Sequence, residues 1–242
     1  MYILYLILAI IVIVVLLFLV YAVLPTVIMR VFSLGVFNKS TVPGKIALTF
    51  DDGPDPQHTP RLLTLLHKYH VKATFFVVGE FADNHPEIIK RMVQEGHSIG
   101  IHHYRHKSNW FLTPWQTKYQ CERTAEVIEK ITGRSPVYYR PPWGHMNLFA
   151  YFVARPYKLV TWSEILGDWS LKLGSDRLYE RLHRSLYDGS IIVLHDSNQS
   201  PGADEGAAGI MIDTLEDFLS EVDGRFDFIT IDELYKEEEA IR

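Results

Sequence analysis

Residues 45–54 read KIALTFDDGP, and this stretch decides the fold because an apolar run ends here in two adjacent acidic residues. Residues 46–50 have the composition of a buried strand. Asp51 and Asp52 follow directly, and two like charges at a strand end are unfavourable unless a cation, usually a metal, compensates them. Consecutive strand residues face opposite sides, so the two carboxylates suit two different roles. Gly53 and Pro54 indicate a sharp turn; taken alone, this sequence would more often be a solvated turn.

Strand-like and helix-like segments alternate through the rest of the chain. The predicted strands are residues 46–50, 72–78, 97–101, 137–140, 158–161, 190–194 and 226–230. The predicted helices are residues 59–69, 86–95, 113–133, 146–154, 175–187 and 210–222. This alternation makes about seven β/α units, which predicts an α/β fold with parallel strands, a (β/α) barrel of distorted form.

The first 24 residues carry no charged side chain and are long enough to cross a bilayer as a helix. We therefore expect a transmembrane anchor at residues 1–24, a linker at 25–44 and a catalytic domain at 45–242. A cleaved signal peptide is the alternative, because residues 20–22 resemble a small-residue cleavage site. The positive N-terminal region of such a peptide is missing, which favours the uncleaved anchor.

The charged residues near the anchor bear on its orientation. Arg30, Lys39 and Lys45 are the first charged residues, and all of them follow the span. The positive-inside rule would then put the domain in the cytoplasm, although a single anchor before a large domain obeys that rule loosely.

Composition excludes several classes of function. The chain has 24 Lys and Arg against 29 Asp and Glu, a net charge of −5, and no basic stripe, so we expect no nucleic-acid partner. Cys121 is the only cysteine, which excludes an intramolecular disulfide and a thiolate-rich zinc site. A bound metal would therefore need histidine and carboxylate ligands.

Titratable residues follow several of the predicted strands. In α/β barrels the catalytic groups lie at the carboxyl ends of the strands, so these residues are expected on one rim. The set comprises Asp51, Asp52, His102, His106, Arg140, Asp168 and His195.

His102 and His106, together with one carboxylate, are typical of a catalytic metal site with positions left open for water. A metal-bound water can attack a carbonyl because its pKa falls toward neutrality. A second carboxylate can take its proton, and a separate histidine can protonate the leaving group. For two histidines in this spacing alone, a solvated loop is the alternative.

These motifs resemble those of the polysaccharide deacetylase family, carbohydrate esterases that remove N-acetyl groups from chitin, chitooligosaccharides and peptidoglycan. The resemblance covers about residues 45–231. The TFDDG motif, residues 49–53, implies Asp51 as general base and Asp52 as metal ligand. The His-Ser/Thr-x-x-His motif implies His102 and His106 as the other ligands, although His103 stands at the Ser/Thr position.

Three further motifs of the family are present, two of them with substitutions. Arg-x-Pro-x-Gly at residues 140–144 implies that Arg140 pairs with the base and that the Trp143 backbone N–H supports the oxyanion. In Asp-x-x-Asp-Trp, Ile165 replaces the first Asp, while Asp168 and Trp169 remain. In Leu-x-His, Val193 replaces Leu before the acid His195. The resemblance further implies that Asp168 holds His195 protonated and that Trp169 and Val193 line an acetyl pocket.

The expected activity is therefore metal-dependent hydrolysis of N-acetyl groups on amino-sugar residues of a cell-wall or extracellular glycan. The expected cofactor is one divalent ion, zinc, with cobalt or another ion as alternatives. The expected partners are an N-acetylated glycan or oligosaccharide and the membrane, with a single-pass protein whose domain is extracellular. Two alternatives stay open: a deacetylase of a membrane lipid-linked amino sugar, and an inactive carbohydrate-binding relative.

Overall fold

A curled, parallel β-sheet organises the computed structural model, which describes residues 1–222, 224 and 226–241. Its strands are β1 Val36–Phe37, β2 Lys45–Asp51, β3 Ala73–Val77, β4 Ser98–Ile101, β5 Tyr138–Tyr139, β6 Lys158–Val160, β7 Glu164–Ile165, β8 Ile191–His195 and β9 Asp227–Phe228. The order is β1-β6-β5-β4-β3-β2-β8-β7, with β9 beside the start of β2. All pairings between the described strands are parallel.

Helices connect the strands and cover the sheet. They are α3 Thr59–Lys68, α4 Gly79–Asn84, α5 Pro86–Gln94, α6 Pro114–Thr132, α7 Ala150–Val153, α8 Ser175–Arg184, α9 Ala207–Glu221 and α10 Ile231–Ile241. The N-terminal helix, α1 Tyr2–Phe18 and α2 Leu24–Phe32, precedes them and is continuous through a π-helical turn at Leu19–Val23.

The predicted α/β class with parallel strands is confirmed, and the distortion takes the form of a curled half-barrel. The sequence pattern missed β1, β7, α4 and α10 and overestimated the helix at residues 146–154, of which only Ala150–Val153 is helical. The two-residue strands β1 and β7 and the short helices α4 and α7 carry too few residues to show a period, so tertiary contacts decide them. Helix α10 has 11 residues, and the strand and helix alternation did not assign it.

The central strands are buried on both faces, which explains their continuous apolar runs. Strand β2 lies between β3 and β8, and six of its seven residues are buried. Phe50 stacks on Phe75 of β3 with ring centroids 5.2 Å apart. This rigid centre fixes the position of the strand ends, where the predicted site lies.

The N-terminal helix combines an exposed part with a packed part. No residue of α1 is buried, and among the described residues one helix, Tyr2–Phe32, is long and apolar enough to cross a membrane. In α2, by contrast, Met29 joins the main hydrophobic core of the domain. The start of the segment expected to be a linker is therefore helical, and Ser33, with φ of 51°, ends this helix.

Candidate active site

The carboxyl ends of the strands surround a cavity of about 270 Å³. Eight of the predicted site residues line it: Asp51, Asp52, His102, His106, Trp143, Trp169, Val193 and His195. Arg140 and Asp168 lie behind this wall, each bonded to a residue that lines it. The structure thus brings together residues that are up to about 140 positions apart in the chain, because parallel strands end at one edge of the sheet.

Asp51 and Arg140 form a buried ion pair at the end of β2. Arg140 Nη1 donates to Asp51 Oδ1 over 2.7 Å, and the Arg140 side chain is fully buried. The same guanidinium donates to Thr49 Oγ1 at 2.7 Å and to the Thr161 carbonyl at 2.8 Å. Burial lowers the pKa of Arg140, and Asp51 opposes that shift. The pair holds the carboxylate in one orientation, with Oδ2 4.0 Å from His102 Nε2.

Asp52, His102 and His106 direct three ligand atoms at a common point. Asp52 Oδ1 lies 3.3 Å from His102 Nε2 and 3.1 Å from His106 Nε2. A tetrahedral ion with ligand bonds near 2.0–2.1 Å would separate its ligands by about 3.3 Å. Asp52 Oδ1 has no hydrogen-bond partner of good geometry among the described residues. These three side chains therefore fit a divalent metal ion.

The surroundings of His102 and Asp52 also suit a metal. His102 Nδ1 is 2.7 Å from the Arg140 carbonyl oxygen, so this nitrogen carries the proton and leaves Nε2 with a free lone pair. Burial would raise the pKa of Asp52, but its contacts with His102 and His106 hold that pKa well below its ordinary value. Asp52 is thus a negatively charged carboxylate at neutral pH.

His103, which replaces the Ser or Thr of the family motif, is accommodated inside the protein. Its φ is 67°, and its ring is fully buried. The two ring nitrogens lie 2.8 Å from the Lys107 carbonyl oxygen and 2.7 Å from Tyr139 Oη. Burial lowers the pKa of His103 to about 3, so it is neutral. His103 closes the loop on which His102 and His106 lie, and the substitution leaves their convergence intact.

His195 at the end of β8 is paired with Asp168. Asp168 Oδ1 lies 3.0 Å from His195 Nδ1, and Asp168 Oδ2 accepts from the His195 backbone N–H over 2.6 Å. Burial opposes the charge on His195, yet Asp168, Asp52 and Asp51 together raise its pKa to about 10. A cation bound by Asp52 would offset part of this rise, since it neutralises nearby negative charge.

Aromatic and aliphatic side chains complete the wall. Trp143 has φ of 55° and packs edge-on against His106 with ring centroids 4.2 Å apart. Trp169 contacts His195 in the same way at 5.2 Å. Ile165, which replaces an acidic residue of the motif, lies on this wall beside the buried Val193. The substitution makes this side of the cavity more apolar.

Sequence reasoning missed several residues around the cavity. Arg30, Trp162 and the loop at residues 201–203 line it, but no pattern along the chain connects them to the motifs. Asp196 is fully buried against the turn after Asp52, where any side chain at residue 53 would overlap its carboxylate. The glycine of the TFDDG motif therefore makes room for Asp196, in addition to allowing a turn.

Comparison with known proteins agrees with this geometry. The family model for polysaccharide deacetylase matches residues 38–160. The chain belongs to the polysaccharide deacetylase family. A peptidoglycan-N-acetylglucosamine deacetylase of Bacillus cereus is 34% identical over 165 residues, 67% of this chain and 58% of that protein. The peptidoglycan-N-acetylmuramic acid deacetylase PdaA of Bacillus subtilis is 32% identical over 203 residues, 80% of this chain and 72% of that protein.

Solved structures of polysaccharide deacetylases share the fold. The crystal structure of a peptidoglycan N-acetylglucosamine deacetylase with a bound N-hydroxybenzamide compound matches with a TM-score of 0.74 and 29% identity, over 83% of this chain and 92% of that one. The peptidoglycan deacetylase PdaC of Bacillus subtilis matches with a TM-score of 0.72 and 29% identity, over 82% and 93%. The chain spans 58% of the length of the Bacillus cereus relative and 39% of the length of a Listeria monocytogenes relative.

Proposed function

We propose that this polysaccharide deacetylase removes N-acetyl groups from amino-sugar residues of the cell envelope and releases acetate, with a divalent metal ion. The observation that carries the proposal is the convergence of a buried carboxylate, a two-histidine and one-carboxylate cluster, and a carboxylate-paired histidine on one cavity. An inactive carbohydrate-binding protein would not require all three groups. The names of the relatives make peptidoglycan or a related cell-wall glycan the first substrate class to consider.

In this proposal Asp52, His102 and His106 bind the metal, with zinc as the expected ion and cobalt as an alternative. When bound, a divalent ion acts as a Lewis acid toward the acetamide oxygen and the attacking water. The fixed Nδ1 proton of His102 supports the choice of Nε2 as its ligand atom. His106 Nδ1 has no hydrogen-bond partner among the described residues, and the His106 ring packs against Trp143 and His102.

Asp51 is the proposed general base. It takes one proton from the attacking water as the water oxygen bonds to the acetamide carbon. Arg140 supports this role because its hydrogen bond to Oδ1 holds the carboxylate in place and leaves Oδ2 for the water proton. The Trp143 backbone N–H is the proposed donor to the oxyanion, a type of interaction worth about 3 kcal/mol of barrier.

His195 is the proposed general acid. Its raised pKa keeps the ring protonated at neutral pH, so Nε2 can give a proton to the amide nitrogen while the C–N bond breaks. The products are acetate and the free amine of the sugar. Trp169 and Val193 lie beside His195 on the cavity wall and are the proposed contacts of the acetyl methyl group.

We also propose that the N-terminal helix stays attached as a membrane anchor and that the domain faces outward. Tyr21 and Ala22 belong to the site that resembles a cleavage sequence, yet they are packed against the domain: Tyr21 Oη donates to the Leu112 carbonyl at 2.5 Å, and Ala22 is fully buried. Cleavage there would remove these contacts. This packing supports an uncleaved anchor over a signal peptide.

The test of the proposed function uses the full chain purified in detergent. The protein should bind one divalent ion and release acetate from N-acetylated chitooligosaccharides, and chelation should abolish turnover. Asp52→Ala should lower metal content to near zero, whereas Asp176→Ala, an exposed carboxylate on α8, should not change it. Failure of the wild type to bind metal after reconstitution with zinc or cobalt would contradict the proposal.

A further inference from the structure

The packed end of the anchor helix is built into the active-site side of the domain. Thr26 Oγ1 accepts from the Met146 backbone N–H and from Trp110 Nε1, each over 2.9 Å. The Leu148 backbone N–H donates to the Tyr21 carbonyl over 2.8 Å. These partners belong to the segments that follow His106 and Trp143. The helix therefore has a fixed position relative to the catalytic cavity.

Because the helix is fixed in this position, the Arg30 side chain forms part of the cavity wall. Its Nη2 donates to the Trp143 carbonyl over 2.7 Å, and its guanidinium lies 5.1 Å from the centre of the Trp162 ring. It lines the same cavity as Asp52 and His195. Within residues 1–222, 224 and 226–241, no carboxylate forms an ion pair with Arg30. A guanidinium has five N–H donors, so most of them remain available to a ligand.

The level of Arg30 relative to a bilayer follows from the length of the helix. Tyr2 and Tyr5 suit one interface, and about 20 helical residues from Tyr5 cross the hydrocarbon core and reach Leu24. Arg30 lies six residues further, about 9 Å along the helix axis, which is the level of the lipid headgroups and the space just above them.

The surface beside the helix agrees with this depth. The rings of Phe18 and Phe111 stack with their centroids 5.8 Å apart, and the ring centroids of Tyr21 and Phe149 are 6.2 Å apart. Phe111 is 75% exposed and Trp115 is 79% exposed. Phe111 and Phe149, which lie beside Phe18 and Tyr21, would be unfavourable in water but suit the outer part of a bilayer. The cavity therefore opens next to the membrane surface.

We propose that Arg30 binds the phosphate of a membrane lipid-linked N-acetylated sugar, so that this enzyme deacetylates a sugar attached to the bilayer. Guanidinium and phosphate match in charge and in fork geometry. The anchor occupies one side of the cavity, so a long glycan that extends in both directions from the reacting sugar would meet the helix. This inference rests on the proposed deacetylase function and names the substrate class for it.

A binding measurement tests the proposal without catalysis. The full chain is reconstituted in phosphatidylcholine nanodiscs, and retention of a radiolabelled polyprenyl phosphate is compared with that of the neutral polyprenol. The wild type should bind the phosphate at least about 10-fold more tightly, since hydrogen bonds to a charged group are strong. Arg30→Gln should remove that preference and Arg30→Lys should keep part of it. Lys39→Gln, which removes a charge just after the same helix but away from the cavity, should bind like the wild type.

A kinetic comparison identifies which anion Arg30 binds, a lipid phosphate or the carboxylate of a sugar. Substrates are a polyprenyl-phosphate N-acetylglucosamine in nanodiscs, a neutral chitooligosaccharide, and a fragment with an N-acetylmuramic acid carboxylate. Arg30→Gln should lower kcat/KM for the lipid-linked substrate at least about 10-fold more than for the neutral one, mainly through KM. Equal losses on all three would mean that Arg30 only positions Trp143, and a selective loss on the muramic fragment would assign the anion to a carboxylate. Either result overturns the proposal, whereas a wild type inactive on every substrate would contradict the deacetylase function itself.

Discussion

Replacing His195 by alanine is the sharpest test of the proposed division of proton transfer. An amine is a poor leaving group and needs a proton as the C–N bond breaks, whereas an activated aryl oxide leaves without one. His195→Ala should therefore lower kcat for an N-acetylated sugar by about 100- to 10,000-fold, the usual contribution of general acid catalysis. On an aryl acetate the same variant should lose less than about 10-fold.

The structure indicates how much of the fold this substitution disturbs. Asp168 loses the contact with the ring but keeps its 2.6 Å bond from the residue 195 backbone N–H, which any residue there supplies. The expected loss of stability is about 1–3 kcal/mol, that of one buried hydrogen bond to a charged group. None of the three proposed metal ligands hydrogen-bonds to His195, so metal content should stay at the wild-type level.

The assay measures acetate release from a chitooligosaccharide and from an aryl acetate on the same preparation, with metal content and thermal unfolding as controls. Asp51→Asn is the contrasting variant, since both substrates need an activated water and both should lose about 100-fold or more. Loss of metal in His195→Ala, or equal loss on the two substrates, would refute the assignment of His195 as the acid.

Three further predictions concern the surroundings of these groups. Asp168→Asn should lower the pKa of His195. Because the ring must be protonated to act, the alkaline limb of the pH–rate profile should then move to lower pH. An unchanged limb would contradict the role of Asp168. Asp51→Asn should destabilise the fold by about 3–5 kcal/mol, because it leaves Arg140 buried without an anion. The double variant Asp51→Asn, Arg140→Met should recover thermal stability but no activity. Protease treatment of intact cells should remove the domain; if it is protected until the membrane is broken, the proposed outward orientation is wrong.

The sequence alone determined the fold class and named most of the residues that line the candidate site. The apolar run before Asp51 and the alternation of strands and helices predict parallel strands, whose carboxyl ends meet at one edge. The motifs then supply the residue types, and the structure places Asp52, His102 and His106 within bonding range of one ion. These features are local in the chain, since each motif follows its own strand directly.

Only the tertiary structure decided what surrounds the motifs. The role of residue 53 depends on Asp196, about 140 positions later, and the fit of His103 depends on Tyr139. Arg30 reaches the cavity only because Thr26 and Met29 attach the helix to the domain. Contacts between distant segments leave no period or motif in the sequence, because each depends on the relative position of elements that packing sets. The sequence therefore predicted an anchor and a catalytic site, and tertiary packing joined them.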